Sequence, residues 1–400
     1  MKELDMNNSE LVMATDYTRK LTIDGITRAY EVKKIKLNCL YYNNQNDRIA
    51  TWLSKYESEN GQIDIESSEY NDIIHDMIIE SNPEAFKKTK KNIELYEQRE
   101  PGVVLRDGRI IDGNRRFTCL RELSKDDPKF GYFEAVVLDQ TYGDESGKKA
   151  IKALELTIQH GTDKQVDYDP INRLVGIYRD LIEDGHSFTT KEYAKYVGQK
   201  EHEVQKSVEV ATLMIEYLQF INAPKQFYIA VNQNINGPLV EMQSILKKIT
   251  SAETREEMKY AMFSAILYGT GDVTRDIRRF GKIATNVTPE FLSAQKEIVD
   301  LVTDKVNSIN VPMTQEIISE QIQNDEELGN NIRNVLNDEF DRLSLMAARD
   351  APISLVSQAL IKVSAIDDVS IKIVEQKDEL RTKLDALGKT VSHLRALLDE

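Results

Sequence analysis

Apolar and polar residues alternate on both sides of Asp24-Gly25, with Leu21-Thr22-Ile23 before it and Ile26 to Val32 (ITRAYEV) after it. Period-two alternation marks a half-buried strand, and Asp-Gly suits a type I′ turn, so Leu21 to Val32 is predicted to be a β-hairpin. The same grammar returns where Gly102-Val103-Val104-Leu105 and Arg109-Ile110-Ile111 bracket Asp107-Gly108. Tyr132 to Leu138 (YFEAVVL) reads as a further, buried strand. From Lys33 the text starts as a strand and becomes an Asn-rich loop, and Tyr56 to Glu80 is acidic with scattered Ile, read as helix plus loop. Pro83 and Glu84 open a helix in which Phe86, Lys90, Ile93 and Tyr96 stand near helical spacing, with Ile93 and Tyr96 as core candidates. Arg115 to Leu123 continues as helix after Asp112-Gly113-Asn114 ends the second hairpin, with Phe117, Leu120 and Leu123 on one face.

Beyond Leu138 helical periodicity runs almost unbroken. One segment has helix-turn-helix grammar: Thr189 caps a helix holding Tyr193, Ala194 and Val197, Gly198 makes the turn, and Val204 and Val208 anchor a second helix. Near the C-terminus Ile373, Leu380, Leu387 and Leu394 recur every seventh position, as do Leu384, Val391 and Leu398 four residues later, with Lys377 the polar exception. Two such sets form the seam of a coiled coil, packed on the same segment of a second chain, which predicts a homodimer, or on a helix of this chain's own body. The fold class expected is an N-terminal α+β domain with a small mixed sheet, then an all-α region with a helix-turn-helix and a C-terminal coiled coil. The segments are a flexible tail (1–20), the α+β domain (21–150), a helix-turn-helix domain (151–222), a helical domain of unassigned role (223–368) and the coiled coil (369–400).

Charge narrows the function. A formal net charge of −15 excludes a protein that coats nucleic acid with its whole surface, so any DNA contact must be a local patch. The second helix of the turn unit offers Lys200, Gln205 and Lys206 for DNA, against Glu201 and Glu203. Arg275, Arg278 and Arg279 read as a solvated helix face. Two cysteines far apart, Cys39 and Cys119, exclude a disulfide framework and fit a reducing cytoplasm; Cys119 reads as a small core residue. No apolar run approaches the roughly 18 residues of a membrane span, and the first residues are too acidic for a signal peptide. The five histidines show no ligand spacing and read as surface or capping residues. Gly143 to Lys149 imitates a phosphate loop, but it is one residue short and no hydroxyl follows the lysine.

Strand, then Asp112-Gly113-Asn114-Arg115-Arg116, then helix, makes an anion cradle. The glycine lets the backbone approach a ligand, the amides at the helix start point at it, and Arg115 and Arg116 can hold phosphate oxygens. Spacing alone equally allows a tight turn followed by a solvated basic helix start.

The run Gly102 to Leu123, GVVLRDGRIIDGNRRFTCLREL, resembles the box of ParB partition proteins in which Gly-x-Arg-Arg binds nucleotide phosphates. Tyr30 to Leu37 is similar to that family's opening strand, Ala85 to Tyr96 to the helix before the box, and Tyr168 to Leu181 to the helix after it. Phe188 to Val208 falls where those proteins carry their helix-turn-helix, so the likeness covers roughly residues 28 to 215. The resemblance to the ParB/sulfiredoxin superfamily implies that Gly113, Asn114, Arg115 and Arg116 contact a triphosphate. CTP serves ParB proper, while sulfiredoxins and free-serine kinases of this fold use ATP, with or without Mg. It makes Asp112 a candidate for metal contact or proton handling, beside the plain reading of a turn-forming Asp. The family's Glu-Asn-x-x-Arg motif is missing from the segment Glu155 to Thr162; Glu155 and Gln159 are the nearest stand-ins. Sulfiredoxin chemistry needs a cysteine in the loop, where this chain has none. The implied function is nucleotide-regulated association with DNA. The alternatives are an enzyme of the same fold (a kinase or nuclease, or a slow nucleoside triphosphatase) and a non-catalytic scaffold of a mobile-element or defence cassette.

Overall fold

The computed structural model describes residues 3–23, 26–139, 145–160, 169–269, 271–367, 371 and 375–398. The chain divides into two units, residues 1–336 and 337–400.

The first unit opens with a five-stranded mixed sheet of order β1-β2-β5-β3-β4. β1 (Val12–Ile23) pairs antiparallel with β2 (Ile26–Lys36), and β2 pairs antiparallel with β5 (Tyr132–Leu138). β5 runs parallel to β3 (Gly102–Leu105), which carries β4 (Ile110–Asp112) on its other edge. Both predicted hairpins are present, although Asp24-Gly25 lies outside the described residues. The first is longer than alternation suggested: residues 12–20, expected as a flexible tail, form most of β1, with Val12 opposite Ile35 and Arg19 opposite Tyr30. Of β1 only Val12 and Leu21 are buried, so backbone pairing rather than an apolar face holds the strand, and the hydrophobic pattern is silent there.

Period-two alternation sends the strand side chains to two cores. Toward one face, Ile35, Phe133 and Ala135 pack with Ile74, Ile93, Phe117 and Leu120 from α2 (Tyr70–Ser81), α3 (Pro83–Tyr96) and α4 (Asn114–Leu123). Toward the other, Val32, Val103 and Val136 pack with Ile151, Leu154 and Ile158 of α5 (Glu145–His160). Tyr96, expected in the core, is instead 54% exposed, because α3 stops there and turns at Glu97; its ring carries the Arg99 guanidinium 4.5 Å from its centre. His75 is likewise not a surface residue. It is buried, with Nδ1 3.3 Å from the Tyr42 hydroxyl and Nε2 3.0 Å from Glu122 Oε1. Burial and Arg121 lower its proton affinity against the opposing pull of Glu122.

The Asn-rich loop after β2 is a largely buried connector. Asn43, Asn46 and Asp47 are buried, and the segment leads into α1 (Ala50–Asn60). Asn172 of α6 (Pro170–Leu181) ties it down, accepting from the Thr51 amide at 3.1 Å and donating to the Arg48 carbonyl at 3.2 Å. Beside it, Lys152 of α5, its side chain only 14% exposed, stands among three carboxylates: Asp47 at 3.1 Å, Asp180 of α6 at 3.7 Å and Glu155 at 3.9 Å. Gly176 makes room for this, since a Cβ there would stand 2.6 Å from Asp47 Oδ2. Burial raises the pKa of both Glu155 and Asp180, and the Lys152 ammonium counters it. The carboxylates in turn hold Lys152 firmly charged despite its burial.

α7 (Thr190–Val197) begins at a capping box of Thr189 and Glu192, and Gly198 (φ 67°) turns the chain into α8 (Glu201–Phe220). Tyr193, Ala194, Val197 and Val204 are buried as predicted, and Val208 is half-buried. The body continues through α9 (Phe227–Asn232), α10 (Asn236–Leu246), α11 (Ala252–Leu267), α12 (Val273–Ile283), α13 (Pro289–Asn307), the short α14 (Gln315–Ile317) and a π-helical turn at Ile318–Ile322. On α12, Arg278 pairs with Glu241 and Arg279 with Asp276. α15 (Glu326–Ser364) starts in the first unit and runs into the second, which also holds α16 (Lys377–Ala396). Along α16 and just beyond it, Leu384, Val391 and Leu398 are exposed and Leu380 and Leu387 half-buried; Ile373 lies outside the described residues.

Replacing Lys152 by Met should cost about 3–5 kcal/mol of stability, because it leaves buried carboxylates without their cation. Urea unfolding checks this; a variant within 1 kcal/mol of wild type, on the order of an ordinary exposed pair, would show that the cluster is solvated.

Candidate functional site

The loop that ends β4 is fixed by its own backbone. Gly113 has φ 104°, in the left-handed region, and a Cβ there would sit 2.8 Å from the Phe133 ring. Conformation and contact both demand glycine. Gly113 is also the N-cap of α4, and no side chain caps that helix. First-turn amides have no acceptor within a helix, and the helix dipole adds partial positive charge at the same place. Asn114 follows, buried at 8% exposure, with its side-chain oxygen Oδ1 buried and without a hydrogen-bond partner among the described residues.

The hairpin that leads to it is latched by Tyr41. The Tyr41 amide donates to the Gly108 carbonyl at 3.0 Å, the Ile110 amide to the Tyr41 carbonyl at 3.0 Å, and the Tyr41 hydroxyl to Asp107 Oδ2 at 2.6 Å.

Around Gly113 the structure gathers arginines from three parts of the chain. Asp112 Oδ2 accepts from Arg19 Nη1 at 2.9 Å and from Arg116 Nη2 at 3.1 Å. Arg116 Nη1 also donates to Glu100 at 2.9 Å, and Arg19 to the Pro101 carbonyl at 2.6 Å. Burial would raise the Asp112 pKa, but the guanidinium groups of Arg116 and Arg19, aided by Arg48, outweigh it and hold the carboxyl below its ordinary value. Asp112 is therefore an ionised anchor for arginines, a poor proton carrier near neutral pH. Arg115, next in the helix, is half-buried and acts on Cys119.

Of the residues predicted for phosphate binding, Gly113, Asn114, Arg115 and Arg116 thus share one helix start. Arg19 and Arg48 escaped the sequence reading. Arg19 sits on a strand with no apolar signature, and Arg48 in a connector whose burial no local pattern announces. Glu155 and Gln159 occupy α5: Gln159 Nε2 donates to Glu155 Oε1 at 3.0 Å, and Glu155 faces Lys152. The cation at the centre of that carboxylate group is the lysine ammonium. Neighbouring residues bridge the two clusters, since Asp47 binds Lys152 while Arg48 acts on Asp112.

The DNA candidates Lys200, Gln205 and Lys206 are all exposed, near the start of α8, with Glu201 and Glu203 exposed among them.

No family model and no curated protein matches the chain. Among solved structures it is similar to a Pnob8-like ParB-N domain, at 13% identity and a TM-score of 0.35, over 68% of this chain and 98% of that one.

Gly113→Ala should destabilise the protein by about 1–3 kcal/mol, the usual cost of a side chain held at left-handed φ, with the Phe133 contact adding to it. Equilibrium unfolding measures this, and an unchanged midpoint would mean that the turn is not left-handed in solution.

Proposed function

We propose that this protein is a ParB-like nucleotide-binding protein that associates with DNA. One observation carries the reading: an uncapped helix start behind a left-handed glycine, whose first-turn amides stand free of any side-chain cap, with arginines from three segments gathered at Asp112 beside it. Amides and guanidinium groups converging on one point suit the oxygens of a nucleoside triphosphate. In this reading the Gly113 to Arg116 turn takes the phosphates, with CTP or ATP as the cofactor. Arg19 and Arg48 add positive charge, and Asp112 aligns Arg19 and Arg116 as a positioning residue. The order of the elements, box strand to turned helix pair, is the order that the ParB resemblance implies.

A kinase or nuclease of this fold would need a carboxylate available to metal or substrate at the loop. Asp112 is already engaged by two arginines. DNA contact falls to the exposed start of α8, through Lys200, Gln205 and Lys206, and the charge of the whole chain keeps that contact local.

A second copy of the chain covers the C-terminal stripe. Leu384, Val391, Leu394 and Leu398 are 43%, 56%, 47% and 86% exposed. Leaving such side chains in water forfeits roughly 1.5–3 kcal/mol each, and strict sevens suit a parallel partner of the same sequence.

Full-length protein should bind CTP or ATP, with or without Mg, in equilibrium dialysis. Arg115→Ala combined with Arg116→Ala should weaken binding at least about a hundredfold, two charge-assisted hydrogen-bonding groups being lost. DNA affinity measured alongside should change with nucleotide in wild type only and fall steeply with salt. A wild type that binds neither nucleotide, or a double variant that binds as well, removes the reading.

In sedimentation, the full chain should be a dimer and a truncation ending at Asp367 a monomer. Two monomers would assign the stripe to intrachain packing.

A further inference from the structure

A cleft of about 880 Å³ opens between α5, α6, α7, α8 and α10, and it shares no lining residue with the Gly113 loop. Its volume is that of a small-molecule site. Leu156, Leu174, Val210 and Val240 supply aliphatic walls, and Gln159, Gln199, Asn236 and Gln243 bring side-chain amides to it.

Two of its groups can donate to an incoming ligand. Tyr193 is buried at 6% exposure, lines the cleft, and its hydroxyl makes no hydrogen bond among the described residues. Burial, with Asp180 and Asp47 nearby, keeps that hydroxyl protonated and so a donor. Lys206 stands on the rim, and its ammonium makes no ion pair among the described residues. A third group is aimed rather than idle: Arg173 Nη2 donates to Gln199 Oε1 at 2.9 Å, which fixes the guanidinium at the α7–α8 turn. Lys247 adds a cation on the far wall, held by Glu209 at 2.7 Å. A phenol hydroxyl open to the cleft, with cations, amides and aliphatic carbon around it, defines the kind of ligand that fits.

We propose that this cleft is a second ligand site, taking a small phosphate- or carboxylate-bearing molecule with a hydroxyl-rich body. Arg173 and Lys206 take the anion, the amides take the hydroxyls, and Tyr193 anchors the buried end. The site lies against the turn between α7 and α8, so its ligand bears directly on the helix that carries Lys200 and Gln205. Lys206 then serves the cleft rather than DNA alone. The inference stands on the cleft and does not need the Gly113 site to bind nucleotide.

Calorimetric titration of the full chain with ribose 5-phosphate, gluconate and ribose tests it. Ribose 5-phosphate or gluconate should bind, the stronger of them telling phosphate from carboxylate, and uncharged ribose should be at least about tenfold weaker, the loss of one charged contact. Lys206→Glu and Tyr193→Phe should each weaken binding about tenfold or more, and Val240→Trp should block the cleft; Lys206 and Val240 are exposed, so folding survives those two changes. Arg115→Ala should bind as wild type does, which separates this site from the Gly113 loop. No binding of either anion, binding of ribose equal to both, or binding indifferent to the three cleft variants overturns the proposal.

Discussion

Lys152 is an ammonium group largely taken out of water, and it is stable there while Asp47, Asp180 and Glu155 stay around it. The converse holds for the carboxylates, two of which burial pushes toward protonation. Desolvation makes each partner's absence expensive, so the four groups act as one unit. That unit joins the connector after β2 to α5 and α6, and hence the sheet to the helical body. Gly176 shows how closely it is built, since any side chain there would collide with Asp47.

The connector so held has a second end. Arg48 follows Asp47 directly, and its charge reaches Asp112, on which Arg19 and Arg116 also converge. Guanidinium groups brought together without a carboxylate would repel one another; Asp112 lets them gather and leaves net positive charge at the start of α4. The two clusters thus meet at consecutive residues of one connector.

The negative charge of the chain is compatible with anionic ligands because the cations that matter are fixed locally. Arg19 and Arg116 are held by Asp112, Arg173 by Gln199 and Lys247 by Glu209, each aimed by a neighbour rather than left on a flexible stem. Local potential at a cleft or a helix start, not the overall sum, governs what binds there. The exposed apolar stripe of α16 belongs to a different physics: it is non-directional, and only another apolar surface satisfies it.

Local chemistry was legible in the sequence. Asp107-Gly108 between apolar runs, Gly113 before Asn114-Arg115-Arg116, Thr189 with Glu192, and Gly198 each act over a few residues, and the elements they imply are present. Burial of Phe117, Leu120, Val197 and Val204 followed from periodicity for the same reason. What the tertiary structure alone decided is everything that depends on residues far apart in the chain. β1 has almost no apolar face, so its existence rests on pairing with β2. His75 is buried because Tyr42 and Glu122 are there to bond it, and Tyr96 is exposed because α3 ends under it. Arg19, Arg48 and Asp112, or Asp47, Lys152 and Asp180, carry no spacing that links them. Coulombic energy depends on distance in space, and only the folded chain sets that distance.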